Sequence, residues 1–167
     1  MRSILLAACT CALTACAGLA TTYQPANAFT TFGGYRAKAE APNRWRVSAV
    51  SNSFSDENFA IAMTLYRGAV IAKAAGFPYM QVVDFRIVQE VQGGLWPRGL
   101  QTTTLRVVGV ADPAAPFQCE APARFQSNCR TLDVEETLTR YAPTLEQSPA
   151  QTAAEVEAVR RSPPQPD

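Results

Sequence analysis

Alternation with a period of two dominates the middle of the chain. From Tyr35 to Glu40, Tyr35, Ala37 and Ala39 fall on one face and Arg36, Lys38 and Glu40 on the other, the pattern of a half-buried strand. Ala41-Pro42-Asn43 reads as a turn. The next run sends Trp45, Val47 and Ala49 inward and Arg44, Arg46 and Ser48 outward, so the two segments predict a hairpin. The same period returns from Tyr79 to Val91, with Val83, Phe85, Ile87 and Val91 on one face and Asp84, Arg86 and Glu90 on the other. A Gly93-Gly94-Leu95-Trp96-Pro97-Arg98-Gly99 loop then leads to a run from Thr102 to Val110 rich in Thr, Leu and Val, residues suited to a strand.

Between these strands the period changes to that of a helix. Phe59, Met63, Tyr66, Val70 and Ala74 form one apolar stripe, predicting a helix over about Asp56 to Ala75. Ser55 offers a hydroxyl to cap it, Asp56 and Glu57 put negative charge at its positive end, and Phe54 and Phe59 take the two positions of a hydrophobic staple. Gly76 is the stop, with Lys73 in the last turn. Strand, helix, strand predicts a right-handed crossover that sets the Trp45 and Val83 strands parallel, with the last strand returning antiparallel. The fold class expected is α+β: a small mixed sheet of about four strands with one long helix on one face and a short C-terminal helix.

That short helix is expected over Leu132 to Ala142, capped by Asp133, with Glu135 and Glu136 in its first turn, Val134, Leu138 and Tyr141 on one face, and Pro143 ending it. The single domain then spans residues 35–142. Residues 143–167 read as a disordered tail rich in Pro, Ala and Gln, in which a helix over Thr152 to Arg161 finds no stable apolar face.

The N-terminus changes the picture from fold to location. Met1-Arg2-Ser3, the apolar run Ile4 to Leu13 and the small residues Thr14-Ala15 have the three parts of a signal peptide, residues 1–15. The apolar run is too short to span a bilayer, which needs about 20 residues. Leu13-Thr14-Ala15-Cys16 has the form of a bacterial lipoprotein processing site, so Cys16 is expected to become the lipidated N-terminus. Leu6-Ala7-Ala8-Cys9 has the same form, but only Ile4, Leu5 and Leu6 precede it. The alternative is ordinary cleavage after Ala17 or Ala28, giving a soluble periplasmic or secreted protein. Three acyl chains, at about 0.8 kcal/mol per buried methylene, would anchor the protein permanently. Ala17, rather than an acidic residue, follows Cys16 and favours the outer membrane over the inner, with the protein facing the periplasm. Residues 16–34, with Ala, Thr, Pro, Asn, Gly and the spaced aromatics Tyr23, Phe29 and Phe32, read as the anchor and a tether.

The chain has five cysteines. Processing at Cys16 discards Cys9 and Cys11, lipidates Cys16 and leaves Cys119 and Cys129. An oxidising compartment makes that pair a structural disulfide, since Cys-x-x-Cys redox spacing is lacking. A zinc site would need further soft ligands, and the chain has no histidine. The whole chain has 15 basic and 14 acidic residues, and loss of Arg2 with the signal leaves it neutral. Net charge therefore supports neither nucleic acid nor an anionic membrane as partner.

Tyr23-Gln24-Pro25, Asn43-Arg44-Trp45-Arg46-Val47, Asn52, Leu65-Tyr66-Arg67, Gly76-Phe77 and Val83-Asp84, in this order, resemble a family of small lipoproteins from alpha-proteobacteria. The resemblance runs from Cys16 to about Val110, with a weaker echo near Leu138. It implies a lipoprotein and this fold. The family has no assigned biochemical activity, so no reaction follows. The cysteine-bearing segment and the Pro-rich tail depart from the family pattern.

Two constellations remain as candidates. Arg67, beside the helix stripe, and Asp84, mid-strand, are placed to form a structural ion pair across the helix–sheet interface, because such charges are rarely buried unpaired. Trp96 and Arg98, in the Gly-rich loop, form a candidate contact surface for protein or membrane; an aromatic folded back over the sheet is the competing reading. Enzyme chemistry has no positive support: the commonest general base is missing, and there is no Gly-x-Ser-x-Gly elbow, phosphate loop or paired-carboxylate spacing. No cofactor and no metal is expected. The reading is a lipid-anchored cell-envelope protein with a non-catalytic structural, assembly or interaction role, contacting the membrane through Cys16 and an envelope protein through its domain. The alternative is a binding module for a small hydrophobic or envelope ligand held between helix and sheet.

Overall fold

The computed structural model describes residues 20–26, 33–56, 58–92 and 98–166. Cys16, Phe29, Phe32 and Trp96 lie outside them, as do the expected signal peptide and lipidation site. The strands are β1 (Gly34–Ala41), β2 (Arg44–Asn52), β3 (Tyr79–Gln92), β4 (Arg98–Val110) and β5 (Arg130–Asp133); the helices are α1 (Phe59–Ala74), α2 (Val134–Tyr141) and α3 (Pro149–Arg161). The class is α+β.

The five strands form one sheet in the order β1-β2-β4-β3-β5, and every neighbouring pair is antiparallel. The mixed sheet expected from the sequence is thereby corrected. β2 and β3 do run in the same direction, joined through α1, but β4 returns from β3 and inserts between them, so no parallel ladder forms. β5 was not foreseen; it is four residues long and pairs with the start of β3. A register shift between Val82 and Asp84 is the other departure. The extra residue resets the alternation, so Met80 and Val82 join Phe85 in the core although reading back from Phe85 selects Val83.

One face of the sheet is sealed by helices. Val47, Leu105, Val107 and Met80 are fully buried against Met63, Tyr66 and Val70 of α1. Helix α1 is buried almost all round, because α2 and α3 also pack on it: Val134 and Leu138 from the one, Val156 and Val159 from the other, belong to the same core. Five expected stripe positions therefore understate its burial. Gly76, at φ +87°, ends the segment as predicted, since only glycine adopts that backbone freely. Its start differs. The first helical residue is Phe59, Asn58 occupies the cap without a side-chain bond, and Ser55 is engaged elsewhere. Phe54 is 60% exposed, so the anticipated staple does not close.

The disordered tail called over 143–167 is corrected as well. Ser148 and Gln151 form a reciprocal capping box, Pro149 begins the helix, and α3 buries Val156 and Val159 on α1. Helix α2 matches its prediction, with the Asp133 carboxylate accepting from the Glu136 N–H at 2.8 Å.

Candidate functional site

The motif residues Tyr23, Tyr66 and Arg67 meet at one place, and the partner that joins them comes from α3. Glu155 Oε1 accepts from the Tyr23 hydroxyl at 2.5 Å, from Arg67 Nη1 at 2.6 Å and from the Tyr35 hydroxyl at 3.2 Å. Tyr23 stacks on Tyr35 with centroids 4.7 Å apart and meets Tyr66 edge-on at 5.1 Å. The Arg67 guanidinium lies over the Tyr35 ring at 4.7 Å, and the Tyr66 hydroxyl is 2.8 Å from that of Thr152. Burial and the nearby Glu155 charge push the Tyr23 phenol well above its ordinary range. Burial also pushes the Tyr35 phenol up to about 12, with Arg67 pulling the other way and Glu155 adding to the rise.

This arrangement overturns the Arg67–Asp84 pair. Arg67 points along α1 toward Glu155, whereas Asp84 lies on the sheet face turned away from α1, beside Arg106 at 3.4 Å and Arg86 at 3.1 Å. The core layer of Leu105, Val107 and Val47 stands between them. Both residues are ion-paired, each with partners that sequence spacing did not suggest. Reading residues 143–167 as a tail leaves Glu155 out; Ser148-x-x-Gln151, with Val156 and Val159 about one turn apart, is the sequence signal for its helix.

The cluster ties three parts of the chain together. Its carboxylate is occupied by three donors on one oxygen, and its phenols are kept protonated. What it holds is the N-terminal segment. Thr21 is buried, its N–H donating to Ser55 Oγ at 2.9 Å and its hydroxyl accepting from the Asn52 N–H at 3.1 Å. Further along, the Tyr35 N–H donates to the Gln24 carbonyl at 2.9 Å and the Ala26 N–H to the Tyr35 carbonyl at 2.7 Å. Residues 20–26, read as part of a free tether, are thus built into the edge of β1.

The second constellation covers the open face of the sheet. Glu40 lies among Arg44, Arg46 and Arg106. Glu120 takes a two-pronged contact from Arg44 at 2.8 and 2.5 Å, and those bonds pull its carboxyl below the usual range. Asp84 adds its pairs to Arg86 and Arg106. Cations outnumber anions here, with Arg36 exposed and Arg86 half-exposed. A groove of about 640 Å³ borders this face, where Arg36, Lys38 and Arg46 approach Pro25 and the tail at Ser162 and Pro164.

At the far end of the same face, residues 111–129 fold over β3. The Glu120 N–H donates to the Val83 carbonyl at 2.7 Å and the Gln81 amide to the Ala115 carbonyl at 2.6 Å. Cys119 and Cys129 are bonded, with Cα atoms 5.7 Å apart, and close this segment. Arg98 pairs through its backbone with Gln92 at the end of the β3–β4 hairpin. Among the described residues no three of His, Cys, Asp and Glu converge to hold a metal ion, and no helix is long and apolar enough to cross a membrane. Set beside known proteins, the chain matches no protein-family model, no curated protein and no solved structure.

Proposed function

We propose that this is a lipid-anchored cell-envelope protein whose domain works by non-catalytic contact, presenting the open face of its sheet to another envelope component. The anchoring rests on Leu13-Thr14-Ala15-Cys16. The observation that carries the contact role is the difference between the two faces: one is sealed by three helices, while the other keeps Arg36, Lys38, Arg46 and Arg86 at its surface. Such a face suits a partner that offers carboxylates or phosphates. The alternative of a hydrophobic ligand between helix and sheet is disfavoured by packing. Tyr66 and Val47 are fully buried, and a methyl added at Gly68 would already touch Leu105, Met80 and Val107 at 3.5 Å.

Two measurements test the proposal. Cys16→Ala should move the folded protein from the membrane to the soluble periplasmic fraction; continued membrane association would overturn the anchoring. A photoreactive residue at Ser48, on the open face, should give discrete adducts in intact envelopes, while one at Glu135 on α2 should not. Adducts from Glu135 alone would reverse the assignment of the working face.

A further inference from the structure

We infer that the domain is held directly against the bilayer by the end of the sheet where β2 leaves for α1, and that Phe54 is its contact with a phospholipid surface. The inference rests on the proposed lipidation of Cys16 and adds a geometry to it. Thr21 is fixed into the fold by bonds to Ser55 and Asn52. Only five residue steps separate it from Cys16, and at about 3.6 Å per step the chain between them reaches at most about 18 Å. A folded unit of this size has a radius of gyration of about 14 Å and so a diameter of roughly 37 Å. The leash is shorter than the body it holds. The end carrying Thr21 is therefore kept within about 18 Å of the headgroups in every orientation of the body, whereas the opposite end is free to swing away from them.

The residues at that end have a matching character. Phe54 lies in the β2–α1 connection two residues from Asn52, its N–H bonded to the Asn52 side chain at 3.1 Å, and it is the most exposed large apolar side chain among the described residues. Ala20, where the chain departs toward Cys16, shares a groove of about 430 Å³ with Phe54 and Phe59. Asp56 and Glu146 also line that groove. Their carboxylates resist removal from water, so contact is shallow, with the ring in the headgroup layer and the acidic groups still wet. Arg36, Lys38, Arg46 and Arg86 lie on the open face of the sheet, which in this geometry stands clear of the bilayer.

The test uses the full-length lipidated protein in vesicles of phosphatidylethanolamine and phosphatidylglycerol carrying nitroxide-labelled lipid. An environment-sensitive fluorophore is attached to Phe54→Cys in one sample and to Ala114→Cys, in the exposed turn at the opposite end, in another. Quenching at position 54 with none at position 114, and loss of the position-54 quenching after insertion of a 20-residue Gly/Ser spacer before Ala20, is the result expected. Equal quenching at both positions, or none at 54 in protein that floats with the vesicles, overturns the apposition while leaving the anchoring intact. If the purified protein lacks three acyl chains by mass and does not float, the anchoring itself fails, and the apposition with it.

Discussion

At the residue scale the structure turns on Glu155. It is a carboxylate with three donors around it and little access to water, and among the described residues it is the counterion paired with Arg67. Glu155→Gln should therefore destabilise the domain by about 3 kcal/mol, read as a lower urea midpoint, because it leaves a buried cation. Arg67→Met with Glu155→Leu should restore most of that loss, since an apolar pair of similar volume avoids the desolvation that an unpaired charge incurs. If the double variant is no better than the single ones, the cluster does more than hold. Tyr23 and Tyr35 add a pH dependence. Both phenols ionise above the ordinary value of 10.0, so the stability they contribute is complete below that pH and is lost as pH rises toward about 12. Alkaline titration followed at the phenolate absorbance should show tyrosines that ionise only as the far-ultraviolet signal collapses. Gly68 tests the core from the other side: a methyl there meets neighbours at ordinary contact distance, so Gly68→Ala should raise stability by about 0.5–1 kcal/mol through helix propensity.

At the element scale, what was legible in the sequence were the segments whose pattern was local. The β1–β2 hairpin, the body of α1 with its Gly76 stop, and the Asp133-capped α2 each announce themselves within a dozen residues. What escaped depended on distant partners. The β4 insertion is a matter of which edge β4 finds, the bulge after Val82 shifts one residue inside a continuous apolar run, and α3 is stable only because α1 gives Val156 and Val159 somewhere to go. The Arg67–Asp84 pairing failed for the same reason, whereas Cys119 with Cys129 could be paired because nothing else remained. Truncation after Gln147 should thus strip a face of α1 and free Tyr23. Limited proteolysis of that variant should cut within residues 20–26, where the intact domain resists. Replacing Cys119 and Cys129 by Ser should cost about 2–3 kcal/mol, the loop entropy of so short a ring. Hydrogen exchange should show the effect confined to residues 111–129 and their contacts on β3.

At the scale of the whole molecule, the two ends of the chain share one strand. Residues 24–26 pair with the start of β1, and the Ala39 N–H near its finish donates to the Gln165 carbonyl at 3.3 Å. An edge that would otherwise offer open backbone groups to another sheet is partly covered by the protein's own termini. Three features are also laid out in sequence along the sheet: the N-terminal segment bonded at Asn52, the cationic face in the middle, the disulfide-bonded segment at the far end beside Arg44.

The bond from Tyr23 to Glu155 spans 132 residues. A chain that emerges N-terminus first exposes Tyr23 132 residues before Glu155, so the contact that fixes residues 20–26 becomes available late. On the proposed lipoprotein reading, that segment stays unanchored until then and open to the enzymes that would cut and acylate an exported chain. On that reading, maturation of the terminus and locking of the fold would be separated in time by the length of the polypeptide itself, and an order of events is written into the distance between two side chains.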